Sequence, residues 1–357
     1  MKLRLCLALL LACSAHPAMS APEPRPLIIA HRGASADRPE HTLMAYKLAI
    51  EQGADVIEPD LVATKDGQLV ARHENEISTT TDVADHPEFA SRRTTKQIDG
   101  QQVEGWFTED FTLAELKTLR ARERLPQLRP ANKAYDGTET IPTFNEILEL
   151  VEIVEARTGR RIGLYPETKH PSYFRSIGLP LEEPLLAALA RAGYREKSDP
   201  VFIQSFEAGN LEAIRPRTRL RLIQLMASEG GPPDRPGTRY AEMATPDGLK
   251  QLAKNVDGIG VEKPMVIRRT EDGNLGKATQ LVADAHAAGL AVHVWTFRPE
   301  NYFLPAELRN GDDLTARGNA AREIGAYLQA GIDGFFSDSV ADAVKARAAS
   351  GLGKPAS

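Results

Sequence analysis

Leu27–Glu74 reads LIIAHRGASADRPEHTLMAYKLAIEQGADVIEPDLVATKDGQLVARHE. An apolar run over Leu27–Ala30 stops at His31-Arg32-Gly33. A helical pattern over His41–Gln52 stops at Gly53, and a second β-type run covers Asp55–Asp60. Strand, helix, strand, with a glycine just past the helix end, is the opening unit of a parallel α/β fold.

The same alternation continues to the C-terminus. Further β-type runs lie at Ile162–Glu167, Val201–Ser205, Leu220–Met226, Gly258–Val261, Ala291–Thr296 and Gly334–Ser337. Most are continuously apolar, as in parallel strands buried on both faces. Helical patterns lie between them at Thr143–Thr158, Leu181–Ala192, Ala208–Arg215, Pro246–Asn255, Lys277–Ala288 and Asn319–Ala330, with Gly159, Gly193, Gly289 and Gly331 just past helix ends. Eight such strands predict an α/β TIM (β/α)8 barrel spanning 27–344. A doubly wound open sheet is the alternative, and no GxGxxG loop follows the first strand to support it.

Lys65-Asp66-Gly67 separates two β-type runs, Leu61–Thr64 and Gln68–Arg72. Asp-Gly in that setting predicts a hairpin extending the second strand, whose return leg carries His73 back towards Glu58 and Asp60. From Glu76 to Thr140 the periodicity degrades, apart from a helical patch at Leu113–Leu119. This stretch, 76–140, reads as an insertion subdomain after the second strand, lying over the active face.

Upstream, Met1-Lys2-Leu3-Arg4 is a basic start and Leu5–Ala12 an apolar run too short to span a bilayer. Residues 1–20 read as a signal peptide, which predicts export to the periplasm. Leu10-Leu11-Ala12-Cys13 also fits a lipoprotein processing site with Cys13 lipidated, and soluble export is placed ahead of it. Cys6 and Cys13 are the only cysteines, so the body must rely on its core rather than on disulfides. The 357 residues are 42% apolar and 26% charged, with a net charge of −5 and no Lys/Arg block, which argues against a nucleic-acid partner. No transmembrane span is expected, and oligomeric state is not legible.

Barrel enzymes place chemistry where strands end. His31 and Arg32 follow the first strand. Glu58 and Asp60, two apart, share a strand face, and Glu167 ends the third strand. Three converging carboxylates form a hard oxygen site for Ca²⁺ or Mg²⁺. Each residue alone has an ordinary structural explanation; the coincidence of His31, Glu58, Asp60, His73 and Glu167 on one face supports a site. Two histidines across a metal suit paired proton transfer near neutral pH. Arg32 can grip a phosphate oxygen. With no GxSxG turn and no cysteine in the body, the attacking group on a phosphate ester is water or a substrate hydroxyl. His41 reads equally as a cap, a residue behind the site or a direct member of it, His286 as surface, His170 as loop and His293 as core.

HRGAS…RPEHT, IEPDLVATKDGQLVARHE, YPETK and IQSF together resemble the glycerophosphodiester phosphodiesterase family of the exported bacterial type, from about Leu27 to Val344. The resemblance implies a TIM barrel that uses a divalent cation, Ca²⁺ or Mg²⁺. It implies hydrolysis of small glycerophosphodiesters such as glycerophosphocholine or glycerophosphoethanolamine to sn-glycerol 3-phosphate and an alcohol. It implies His31 and His73 as the acid/base pair, and Glu58, Asp60 and Glu167 as metal ligands. Arg32 and Lys169 would face the phosphate, and Phe206 and Trp295 would shape the glycerol side. The family's second histidine is usually followed by Asp, here Glu74, and the late aromatic motif reads HVWTF around Trp295. Two other functions compete. A barrel phospholipase acting on intact lipid needs an apolar rim, for which only Trp106, Phe107 and Phe111 are available. A non-catalytic exported binding protein would be expected to have lost part of the site.

Overall fold

In the computed structural model, residues 25–352 are described; the readings of residues 1–20 and of Cys13 lie outside them. The strands run β1 (Leu27–His31), β2 (Val56–Glu58), β3 (Asp60–Ala63), β4 (Leu69–Ala71), β5 (Thr94–Ile98), β6 (Gln101–Gly105), β7 (Gly163–Leu164), β8 (Glu167–Thr168), β9 (Phe202–Ser205), β10 (Arg221–Met226), β11 (Gly258–Glu262), β12 (Ile267–Arg269), β13 (Leu275–Ala278), β14 (Ala291–Phe297) and β15 (Gly334–Ser337). The main sheet has the order β4-β3-β8-β9-β10-β11-β14-β15-β1-β2-β7.

That order closes into a ring once two interruptions are understood. β2 and β3 are halves of one stave broken at Pro59, and β7 and β8 are halves of another broken at Tyr165-Pro166. Proline has no N–H to give to a ladder, but its carbonyl still accepts: Glu167 N donates to Pro59 O at 2.9 Å and Gln204 N to Pro166 O at 3.0 Å. β2 pairs with β7, β3 with β8 and β8 with β9, while Leu164 bridges to Val201 at the foot of β9. Eight parallel staves thus follow one another around a TIM-type barrel, as the alternation of runs predicts.

Alternate residues of a strand face opposite sides. On β1, Ile29 points into the barrel with Val56, Tyr165, Phe202, Ile223 and Phe336, whereas Ile28 and Ala30 pack under the helices. His293 belongs to the interior as well, its Nδ1 hydrogen-bonded to the Tyr165 hydroxyl at 2.7 Å. Each fully buried Ile or Phe contributes roughly 1.5–3 kcal/mol by leaving water.

The helices that the periodicity predicts are present, and the short helices Pro171–Ser176, Tyr240–Met243 and Lys263–Val266 are additional to them. Lys277 lies in β13, not in a helix, and the helix there is only Leu281–Ala287. A helix at Val340–Ala349 follows the last strand, where no helix was read. The first helix, Leu43–Gln52, is capped by the Thr42 side chain and ends at Gly53 in a left-handed conformation. Among the described residues, no helix is long and apolar enough to cross a membrane.

The Asp-Gly hairpin is present as β3 and β4, antiparallel, with Leu61 opposite Ala71. Arg72 N still bonds Asp60 O at 3.0 Å, so His73 emerges level with the break at Pro59. Residues 76–140 follow as 3-10 turns, the β5–β6 hairpin and a single helical turn, Leu113–Leu116, capped by Thr112 and Glu115. Phe107 and Phe111 are fully buried there, and Trp106 is half-buried with its Nε1 on Phe89 O at 2.7 Å. None of the three forms an exposed apolar rim.

Candidate active site

The stave ends meet in a cavity of about 270 Å³ lined by His31, Arg32, Glu58, Asp60, His73 and Glu167, among others. One oxygen from each of Glu58, Asp60 and Glu167 lies within 4.8 Å of the other two, and all three residues are buried. The register explains the convergence. His31 pairs with Glu58 and Asp60 with Glu167 across adjacent staves, so neighbouring C-terminal ends present their side chains to one point.

The turn after β1 is built by close packing. Gly33 has φ 87°, and a Cβ there would fall 2.7 Å from the Ala45 carbonyl carbon, so only glycine fits. Arg32 takes φ 59°. Its amide thereby donates to Glu58 Oε2 at 2.8 Å, while its guanidinium donates to Glu40 at 2.9 Å. Arg32 Nε lies 3.3 Å from Asp60 Oδ2 without making a hydrogen bond to it. Lys169 Nζ pairs with Glu167 at 3.0 Å. Arg32 and Lys169 therefore bring positive charge to the carboxylates and to the cavity.

The carboxylates behave unequally. Burial and the adjacent Asp60 push Glu58 well above the usual carboxylate range, and burial pushes Glu167 up to about 8. Burial would also raise Asp60, but the hydrogen bond and charge of His41, with His73 and Lys169, together outweigh it and hold Asp60 low. His41 Nε2 lies 2.9 Å from Asp60 Oδ2, and its Nδ1 2.7 Å from the Tyr46 hydroxyl. His41 thus acts behind the site rather than in it. Gln204, in the IQSF motif but not singled out from sequence, donates to Glu58 Oε1 at 3.0 Å. Asp60 Oδ1 is buried with no partner at all. An orphaned buried oxygen beside two carboxyls that resist ionisation fits a divalent cation, which would supply the missing counter-charge.

The imidazoles each have a carboxylate behind Nδ1. His31 Nδ1 lies 2.6 Å from Asp338 Oδ1. Burial would raise Asp338, but Arg129, His31 and Arg298 hold it well below its ordinary range. An ionised carboxylate only accepts, so His31 carries its proton on Nδ1 and leaves Nε2 free. His73 Nδ1 lies 2.8 Å from Glu74 Oε1, and its Nε2 is 3.5 Å from Lys169 Nζ. Burial and Arg32 push His31 down to about 4, and burial, Arg32 and Lys169 push His73 down to about 3. Both rings are neutral at pH 7, and a negatively charged substrate entering beside them moves both upward.

Asp338 was not read from sequence. It directly follows the last stave, but beside the helix cap Ser339 that position reads as a helix start. Residues 76–140 also reach the site, since Arg124 lines the cavity and donates to Glu40 at 2.8 Å. Phe206 and Trp295 form an aromatic wall, their rings 5.8 Å apart and edge to face, with Trp295 Nε1 fixed on Gly260 O at 3.0 Å. Of the bystanders, His286 is exposed and pairs with Asp333, and His170 opens the short helix Pro171–Ser176.

Comparisons with known proteins point to one family. Residues 31–342 match the Glycerophosphoryl diester phosphodiesterase family. A glycerophosphodiester phosphodiesterase of Arabidopsis thaliana is 36% identical over 327 residues, covering 88% of this chain and 84% of that protein. One from Haemophilus influenzae is 32% identical over 299 residues, covering 77% and 79%. Among solved structures, a chain from Silicibacter pomeroyi superposes with a TM-score of 0.66 at 19% identity, covering 92% of this chain and 95% of that one. A phosphodiesterase from Oleispira antarctica, in complex with the product sn-glycerol-3-phosphate, gives 0.55 at 22% identity, covering 90% and 96%. At such identities the structural likeness speaks to fold alone.

Proposed function

Because the chain belongs to the glycerophosphoryl diester phosphodiesterase family, we propose that it hydrolyses deacylated phospholipids to sn-glycerol 3-phosphate and an alcohol, using a divalent cation and the His31/His73 pair. The observation that carries the metal part is the cluster of Glu58, Asp60 and Glu167 with its unpartnered Asp60 oxygen. A cation held by these three would neutralise them and draw charge from a phosphoryl oxygen.

The chain's own residues account for the proton movements. One imidazole Nε2 takes the proton of the attacking hydroxyl as its oxygen bonds to phosphorus. The other imidazole, which takes up a proton as the anionic phosphodiester binds beside it, delivers that proton to the departing alcohol oxygen as that P–O bond breaks. The attacking hydroxyl belongs to water or to the glycerol 2-position; in the second route a cyclic phosphate forms and water opens it. Arg32 and Lys169 offset the phosphate charge, and the Phe206–Trp295 wall packs the glycerol carbons.

The test is release of sn-glycerol 3-phosphate from glycerophosphocholine, with Ca²⁺ or Mg²⁺ and with chelator. Release that stops with chelator and returns with either cation supports the reading. An unchanged rate in chelator removes the metal from it, and no release from any glycerophosphodiester removes the substrate class. Phosphatidylcholine, run beside glycerophosphocholine, should not be turned over. Export remains part of the proposal; the mass of the mature N-terminus distinguishes cleavage after Ser20 from lipidated Cys13.

A further inference from the structure

One chain of polar contacts leads away from the cavity through residues to which this reaction scheme gives no part. Glu74 Oε1 lies 2.8 Å from His73 Nδ1 as an ion-pair contact. Its Oε2 is 2.9 Å from His170 Nε2, and His170 Nδ1 is 2.6 Å from Asp99 Oδ2. A carboxylate offers only acceptors, so a ring bridging two of them donates from both nitrogens and is cationic. Burial would lower His170, but its bonds to Asp99 and Glu74 push it up to about 9. Burial likewise works against ionised Glu74 and is outweighed by the bonds from His170 and His73.

The backbone marks the same residues. His170 and Asp99 both take φ 47°, a left-handed conformation that costs a non-glycine residue free energy. His170 lies just beyond β8, immediately before the helix Pro171–Ser176. Asp99 stands in the turn between β5 and β6, inside the segment read as an insertion. A second metal site is not the explanation. Both ring nitrogens of His170 are spent on carboxylates, and no such cluster besides Glu58, Asp60 and Glu167 occurs among the described residues.

We propose that His170 and Asp99 are positioning residues: held at the β5–β6 turn, they fix the Glu74 carboxylate, and Glu74 in turn fixes the tautomer and ring direction of His73. The inference rests on the reading of His73 as one half of the acid–base pair. It also gives Glu74 a reason. An Asp here is one methylene shorter, and its carboxylate would have to serve His73 and His170 from further back.

The experiment uses the metal-loaded full chain with glycerophosphocholine as substrate. His170→Asn removes the bridge while tolerating left-handed backbone. It is expected to lower kcat about tenfold with KM changed less than about twofold. Asp99→Asn should act in the same direction and less strongly. His170→Arg, which keeps two donors, should recover part of the loss. Glu74→Ala combined with His170→Asn should be no slower than Glu74→Ala alone, because one chain has been cut twice. Wild-type kcat in folded His170→Asn, or losses that multiply in the double variant, would overturn the proposal. Should His170→Asn not fold, as read by thermal melting, Asp99→Asn decides in its place, and wild-type kcat there overturns it. His73→Ala separates the two levels. If it retains full activity, the acid–base reading fails; if it is dead while His170→Asn is fully active, only the positioning chain fails.

Discussion

The two imidazoles of the proposed pair are braced by different parts of the molecule. His31 ends the first stave, is almost wholly buried, and rests on Asp338, which Arg129 and Arg298 clamp in turn at 2.5 and 3.2 Å. His73 follows a hairpin added to the barrel, keeps 29% of its side chain exposed, and rests on Glu74, itself 47% exposed. The difference teaches where precision comes from. On the first side, packing and a buried charge network leave the ring one place to be. On the second, the ring direction depends on a solvent-reachable chain of polar contacts, where each link competes with water.

Four expectations break or sharpen that contrast. The largest effect belongs to the rings themselves. His31→Ala and His73→Ala should each lower kcat by about 10²–10⁴-fold while calcium titrations stay close to wild type; a variant with normal turnover takes its residue out of the mechanism. Next come the braces. Asp338→Asn should cost about 10–100-fold in kcat and exceed the cost of Glu74→Gln, because the Asp338 side is dry and the Glu74 side is wet. Equal losses would erase the distinction between the two halves. Glu74→Asp should be milder still, a few-fold in kcat at unchanged KM, since the shorter arm strains the geometry without removing the acceptor.

The last expectation concerns the carboxylates between the two halves. Folding raises the Glu167 pKa from 4.5 to about 8 and that of Glu58 also upward. Between those values the folded chain holds more protons than the unfolded one, so the stability of the metal-free protein falls as pH rises. A bound cation removes that penalty. The Tm gained on adding Ca²⁺ or Mg²⁺ should therefore widen from pH 6 to pH 8, by differential scanning fluorimetry. A gain that shrinks over this range would mean that these carboxyls do not meet the ion.

The barrel was legible because its signals are local. Runs such as Ile162–Glu167 and Gly334–Ser337 declare buried strands, and Asp66-Gly67 declares the hairpin. The three clustered carboxylates were legible because each lies where an apolar run gives out. Partners of partners were not. Asp338 lies 307 residues from His31, and beside Ser339, which caps the helix Val340–Ala349, it looks like an ordinary helix start. His170 in Lys169-His170-Pro171 looks like loop, because the ring's two acceptors come from elsewhere in the chain and its backbone angle leaves no trace in composition. Lys277 was drawn into a helix by the apolar spacing that follows it, while its own backbone is claimed by pairing with β12.

Arg129 has a consequence for how the molecule comes apart. Its buried guanidinium, carried by the segment read as an insertion, bonds Ser35 O after β1, Glu300 after β14 and Asp338 after β15. The seam where the first and last staves meet is therefore fastened by a residue from the middle of the chain. Releasing that segment leaves Glu300 without its cation in a low-dielectric interior and takes one of two arginines from Asp338, which disfavours its detaching as a flap while the ring survives. Loss of the insertion and opening of the barrel form one cooperative transition, and hydrogen exchange should show both with a common opening free energy.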